Sequence, residues 1–362
     1  MKIVICWSNY TGYWATCWRK LSERPGVELF VLAFCQPDSS PFDPGLLQGI
    51  PHRLLDASER ANAALITRLV TEQSPDVMQI VGWFVPAYRA AAQSTELAGV
   101  RKFMSVDTPF LRAPQMATRW RYASYFRHLD GAGVTGERSW QYVRRLGFKP
   151  DRVRRHMYGV DEDLADRVYS VRRTYEPGRS FLFVGRYAPE KGLDVLVDAY
   201  RRYRELSDTP WDLVCCGSGP EGLLLKDKPG IRDMGFVSPR DIGGHFARAG
   251  AYVISSRFDP WPLAIVEAAM AGIPIIASEA CGSAVEIVRS HYNGFVTPTG
   301  DVEALAQAMI RMEDAPTALW GERSREHALP FTSELWAMRW LELFASAGLD
   351  TDSVGAEVAK AG

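Results

Sequence analysis

Short apolar runs recur along this chain, and most are followed by a stretch with helical spacing. KIVICW, VELFVLAF, SPDVMQIVG and VRKFMSVD read as buried strands, because near-continuous apolar runs suit a sheet covered on both faces. The stretch to Leu21, ANAALITRLVTEQ and VPAYRAAAQSTEL repeat apolar positions every three or four residues and read as helices between them. This alternation predicts parallel βαβ units. It restarts near residue 180 with SFLFVGR, then the amphipathic GLDVLVDAYRRYRE, then WDLVCCG, IRDMGFV, AYVISS and IPIIAS. The expectation is an α/β chain of two tandem Rossmann-like, doubly wound domains with an interdomain cleft. Residues 1–160 form the first and 161–345 the second, joined at the acidic stretch YGVDEDLADRVYS. A last helix at about 332–347 has room to pack back on the first domain. Residues 348–362 are small and polar, and are expected to be disordered.

Composition narrows the class. The 362 residues suffice for two cores, and 47% hydrophobic with 23% charged content is ordinary for a soluble globular protein. No apolar run reaches the length of a membrane span. MKIVICW lacks the apolar core and cleavage site of a signal peptide. The six cysteines form no CxxC pair and no zinc-type cluster, so they are expected to be reduced in a cytoplasmic protein. The net charge of -1 hides a split: residues 1–160 carry 21 Lys+Arg against 13 Asp+Glu, and the remainder carry 21 against 30. Two domains with different partners would produce that split.

In an open parallel sheet, ligands bind beyond the carboxyl ends of the strands, so the loops there hold the candidate chemistry. In VGRYAPEKG the strand ends at Gly185, Arg186 follows at once, and Lys191 precedes a helix starting near Gly192. Two cations and free N–H groups at a helix start suit a diphosphate. In CCGSGPEGLLL, Gly217, Gly219 and Gly222 spell GxGxxG. That motif belongs in the first βα turn of a dinucleotide-binding domain; here it follows the second strand of its half, and Pro220 interrupts it. A tight strand-to-helix turn explains it better, so an oxidoreductase reading is set aside. In RFDPWPLAIVEAAMAGIP, Asp259 lies in a loop, Pro262 is placed as a first helical residue, and Glu267 follows in the second turn of an otherwise apolar helix. A carboxylate among apolar neighbours is costly unless it meets donors, and a ribose diol would supply two.

FVGRYAPEKGLDVLVDAY, CCGSGP, GFVS, SSRFDPWPLAIVEAAMAGIPIIAS, CGSAVEIV and NGFVTPTGDVEALAQAM, in this order and spacing, strongly resemble family 4 glycosyltransferases of the GT-B fold. The likeness covers roughly residues 130–345, including MYGVD where that family usually reads NGVD. It implies a retaining transferase that moves a sugar from a nucleotide-diphosphate donor, bound by the second domain, to an acceptor bound by the first. By the family's pattern, Arg186 and Lys191 would bind the diphosphate beside Gly185. Glu267 would bind the ribose, and Asp259 would contact the donor sugar in place of the usual Glu. Phe236 and Val237 would lie near the nucleobase, and the N–H groups of Leu263 and Ala264 would reach phosphate oxygens. The implied partners are a nucleotide-sugar donor and a glycan, lipid-linked or small-molecule acceptor, with no cofactor, no metal and no nucleic acid. Asp161–Glu162–Asp163 resembles the metal signature of the other transferase fold but reads as a solvated linker.

Departures touch acceptor handling more than nucleotide binding. SNYTGYW offers only Gly12 where the family has a glycine pair, Gln79 and Asp107 stand near the family's histidines, and Pro262 removes an N–H donor. The alternative reading is a nucleotide-sugar-binding subunit that has lost catalysis. Residues 101–155 hold 13 Lys+Arg, with Trp120, Tyr122, Tyr125 and Phe126 interleaved. A basic, aromatic helix there is expected to touch an anionic membrane or an acidic acceptor.

Overall fold

The computed structural model describes residues 1–36, 44–174, 176 and 178–351, and of the expected disordered tail, 348–362, the part from 352 onward lies outside them. The chain divides into two units. Unit 1 is Met1–Gly159 together with the segment from Phe331 on, and unit 2 is Val160–Pro330.

Among the described residues, unit 1 is built on seven strands, β1 (Lys2–Cys6), β2 (Glu28–Phe34), β3 (His52–Leu55), β4 (Val77–Val81), β5 (Arg101–Val106), β6 (Gly131–Val134) and β7 (Val153–Arg154). They lie in the order β3-β2-β1-β4-β5-β6-β7. Unit 2 has six, β8 (Ser180–Val184), β9 (Asp212–Cys216), β10 (Ile231–Asp233), β11 (Ala251–Ile254), β12 (Ile275–Ser278) and β13 (Gly294–Thr297), in the order β10-β9-β8-β11-β12-β13. Every pairing between these strands is parallel. Each sheet reverses its strand order once, between β1 and β4 and between β8 and β11, as a doubly wound sheet does. In unit 1 Ile3 faces Val77 across that switch, and in unit 2 Tyr252 faces Leu182.

Most of the expected strands form where the apolar runs lie. IRDMGFV is shorter than expected: the strand stops at Asp233, and the following GFVS is loop. Within unit 1 the helix Ser333–Ala345 packs against Gly12–Ser22. Trp14 and Trp18 stack at 6.2 Å, Trp14 meets Trp336 at 6.3 Å, and the Trp336 indole donates to the Met157 carbonyl at 2.9 Å. All of these rings are buried. Each buries about 150–250 Å² of mostly apolar surface, so this cluster is a main source of the unit's stability.

The basic segment does not form one amphipathic helix. It is broken into Ala117–Arg121 and Ala123–Phe126, because Tyr122 at φ -112, ψ 17 leaves the helical region between them. Tyr125 turns inward, is buried, and donates to the Gly82 carbonyl at 2.9 Å. Trp120 points out, at 76% exposure.

Candidate active site

Two loops at the carboxyl ends of β8 and β11 carry most of the candidate residues, and they are stitched together. The first passes from Val184 through a short turn, Pro189–Lys191, into the helix Leu193–Leu206. The second runs from Ile254 through Asp259 to the helix Leu263–Met270. The Arg257 and Phe258 N–H groups donate to the Glu190 carbonyl at 2.8 and 3.2 Å. The Ser255 hydroxyl donates to the carbonyls of Gly192 and Lys191 at 2.8 and 3.3 Å. The Arg257 guanidinium grips both Asp194 oxygens, at 2.6 and 2.5 Å, and also reaches the Pro189 carbonyl. That fork holds Asp194 below the usual carboxylate range. Gly192 sits between the loops at φ +65, and a Cβ there would lie 2.4 Å from the Ser255 carbonyl oxygen, so only glycine fits.

This stitching brings Lys191 and Asp259 together. Their side chains form an ion pair and are only 15% and 10% exposed. Asp259 also accepts from the Trp261 N–H at 3.2 Å, and its carbonyl accepts from Gly282 N–H at 2.9 Å. Its carboxylate is therefore fixed from two directions and its backbone from a third.

The helix after Asp259 begins one residue later than expected. Pro262 is the N-cap, in extended backbone at ψ 103, and no side chain caps the helix. Ile265 N–H turns back to the Pro262 carbonyl at 3.2 Å. The N–H groups of Leu263 and Ala264 have no hydrogen-bond partner among the described residues. Glu267 lies in the second turn, half-buried, and its carboxylate likewise makes no hydrogen bond or ion pair among them. Desolvation, with the Asp161 carboxylate adding to it, pushes Glu267 up to about 7. Asp161 itself caps the helix Glu162–Arg172 by accepting from Leu164 N–H at 2.9 Å, which gives that acidic triplet a structural role. Tyr252 on β11 donates to the Val184 carbonyl at 3.1 Å. Burial raises its ionisation well above the ordinary value, and the negative fields of Cys281, Asp259 and Glu267 raise it further, so both acids lie within its surroundings.

Other candidates sit apart from that pair. Arg186 is 74% exposed and bridges to Glu190 at 2.6 Å. Phe236 is exposed and Val237 half-buried in the loop after β10. That loop is tied to the turn after β9 by Gly217 N–H donating to the Gly235 carbonyl at 2.8 Å, and to the first loop by Tyr187 O–H donating to Asp233 at 2.7 Å. The GxGxxG run serves this packing. A Cβ at Gly217 would lie 1.9 Å from the Gly185 carbonyl oxygen, and one at Gly219 would lie 2.4 Å from that of Tyr187. A cavity of about 350 Å³ against β8, β9 and β10, lined by Arg179, Leu182, Arg232 and His245 among others, holds none of the candidate residues. Sequence reasoning missed Arg257, Asp194 and Ser255; an Arg directly after a strand and an Asp opening the next helix were the available signals.

Residues 170–327 match the family described as glycosyl transferases group 1. Among curated proteins, the chain is 25% identical over 298 residues to an exopolysaccharide phosphotransferase of Streptomyces coelicolor, covering 79% of this chain and 29% of that one. It is 31% identical over 141 residues to a phosphatidyl-myo-inositol mannosyltransferase of Mycobacterium leprae, covering 37% and 36%. The matches span about a third of the length of these relatives. Among solved structures, Anabaena HepE in complex with UDP and glucose superposes with a TM-score of 0.73 at 17% identity, over 96% of this chain and all of that one. The fold is GT-B. Two Rossmann-like units of parallel strands are what that fold requires, and the group 1 match in this GT-B chain takes in all six strands of unit 2 and the helix bearing Glu267.

Proposed function

We propose that the chain is a glycosyltransferase that moves a sugar from a nucleoside-diphosphate donor, held by unit 2, to a glycan, lipid-linked or small-molecule acceptor. The observation that carries this reading is the group of prepared, opposite charges beside a helix start. Lys191 is held by Asp259, two N–H groups lack partners, and Glu267 lacks any donor eight residues after Asp259. The group 1 match over this region and the UDP bound by HepE support a nucleotide sugar as the ligand.

The chemistry is retaining and needs no metal. Departure of the diphosphate breaks the anomeric C–O bond, with the electron pair going to the phosphate oxygen. Lys191 and the N–H groups of Leu263 and Ala264 stabilise that charge, each well-aimed donor being worth about 3 kcal/mol. The acceptor oxygen forms its bond to the anomeric carbon on the same face, and its proton goes to the departing phosphate oxygen. Asp259 orients the sugar, while Glu267 accepts from the ribose hydroxyls. Arg186, exposed in this structure, exchanges Glu190 for a phosphate when donor binds.

A peripheral contact with an anionic membrane belongs to the same proposal. Trp120 and Leu111 are exposed, and Arg119 and Arg121 lie beside the aromatic rings. No helix among the described residues is long and apolar enough to cross a membrane.

The test is titration of the pure protein with a panel of nucleotide sugars, followed by assay of transfer and donor hydrolysis without divalent metal. Donor turnover supports the enzyme; nucleotide binding with no turnover identifies a binding subunit; absence of both overturns the proposal.

A further inference from the structure

The cavity of about 350 Å³ in unit 2 lies on a face of the sheet, apart from the loops that hold the candidate residues. Its floor follows from strand register. Tyr252, Leu182, Val214 and Arg232 stand side by side across β11, β8, β9 and β10. Along this row exposure rises: Tyr252 and Leu182 are buried, Val214 is half-buried and Arg232 is exposed. The helix Gly243–Arg248, six residues long, packs on β8. Beyond it Val214 and Met234 keep access to water, so Leu182, Val214 and Met234 form an open apolar floor.

The walls are cationic and firmly placed. Arg232 bridges Asp212 at 3.0 Å, and Glu176 is a second acid, on the rim. Arg179 donates only to neutral partners, the carbonyl and hydroxyl of Thr209. The Arg248 guanidinium makes no hydrogen bond or ion pair among the described residues. Burial, and then the Arg248 charge, hold His245 below its ordinary value, which leaves a neutral imidazole with one N–H to donate near pH 7. The buried Arg172 pins the end of this helix by donating to the carbonyls of Phe246, Ala247 and Ala249 at 2.9, 3.2 and 2.6 Å. Gly178 passes that end so closely that a Cβ would lie 2.2 Å from the Arg248 carbonyl oxygen.

We propose that this cavity binds a small phosphomonoester with an apolar body. Guanidinium groups recognise phosphate through paired N–H donors. Arg179 and Arg248 bond no carboxylate among the described residues, so a ligand displaces no ion pair to reach them. One guanidinium fork satisfies a carboxylate. A phosphomonoester, with three terminal oxygens and close to two negative charges, uses both of these cations together with Arg232 or the His245 N–H. The ester's carbon skeleton covers Leu182, Val214 and Met234. The volume lies at the small end of the roughly 300–1,000 Å³ of small-molecule sites, which suits an occupant of about one ring.

The test is calorimetric titration of the full-length protein with phenyl phosphate, inorganic phosphate, benzoate and phenol, each with and without saturating UDP. Phenyl phosphate should bind, with inorganic phosphate and benzoate at least about tenfold weaker and phenol weaker still. UDP should leave its affinity unchanged, because the donor loops lie elsewhere. Arg232→Gln and Arg248→Gln should each weaken phenyl phosphate by about tenfold, the scale of one charge-assisted hydrogen bond. Both side chains are exposed, so the variants should keep the parent's thermal midpoint without ligand. The proposal is overturned if phenyl phosphate does not bind, if UDP displaces it, if inorganic phosphate or benzoate binds as tightly, or if both variants bind like the parent. Failure to bind UDP would instead count against the enzyme reading alone.

Discussion

Lys191 and Asp259, 68 positions apart, form an ion pair at the carboxyl end of the second sheet, with both side chains largely withdrawn from water. The family resemblance assigned them to different parts of a donor, one to phosphate and one to sugar. The pairing makes them a unit: each holds the other in place before any ligand arrives.

Asp259→Asn keeps the shape and leaves the lysine uncompensated. Breaking a buried pair from one side costs up to about 3 kcal/mol, so the thermal midpoint should fall. Sugar transfer should fall by about tenfold or more with the lost charged hydrogen bond. Nucleoside-diphosphate affinity should hold or rise, because Lys191 no longer has a competing carboxylate. Calorimetry with the diphosphate alone, beside a transfer assay, separates the two effects. Equal loss of both would show that Asp259 only props the lysine.

Glu267 gives the sharpest pH signature. Burial lifts it from an ordinary 4.5 to about 7. Between those values the folded protein holds a proton that the unfolded chain has released, so stability falls as pH rises through that window and stays lower above it. Glu267→Gln removes the penalty. The variant should be more stable than the parent by on the order of 2 kcal/mol at pH 8 and equal to it near pH 4. Its nucleotide affinity should be lost, and the parent's should strengthen as pH rises through 7 and the carboxylate ionises to accept from the ribose. Urea melts at the two pH values, with titrations alongside, check both halves; a Gln variant that binds normally makes Glu267 a structural residue.

The proposed membrane contact comes down to one anchor. Of the four aromatics in the basic segment, Tyr125 is core, Phe126 and Tyr122 are half-buried, and Trp120 stands out with Arg119 beside it. Flotation with anionic vesicles at low salt should capture the protein, and both Trp120→Ala and added salt should release it. Capture that is indifferent to Trp120 would leave only diffuse charge attraction.

Gly133→Ala probes the fold of unit 1. A Cβ at this position would lie 2.7 Å from the Trp340 ring. Overpacking of that kind costs about 1–3 kcal/mol, read as a lower urea midpoint at unchanged slope, with unit 2's nucleotide binding preserved.

That glycine also shows where sequence reading stops. β1, β4, β8 and β11 were legible because nothing but a buried strand explains apolar runs such as KIVICW and AYVISS. GAGV, which forms β6, has no apolar run to mark it; the Trp340 ring packs close against Gly133, a contact no local pattern encodes. The same holds at the site. Glycines and charges at strand ends marked the right loops, but spacing could not show that Arg257 locks onto Asp194 or that Arg186 turns outward. The broken helix after Met116 escaped because its residues favour helix one by one, while Tyr125 is drawn inward by the core.

The return of the chain to unit 1 at Phe331 fixes an order of events during synthesis. Unit 2 is continuous from Val160 to Pro330, so all its strands and helices are synthesised before the last helix is made. Unit 1 begins first yet cannot close, because Trp336 and Trp340, which complete its core, are added only after the whole of unit 2. The nascent chain therefore carries an unfinished first unit for as long as the second is being made. In that interval the faces of Trp14 and Gly133 are bare, and a stalled or truncated product ending before Ser333 would expose them to chaperones and proteases while still folding its second half.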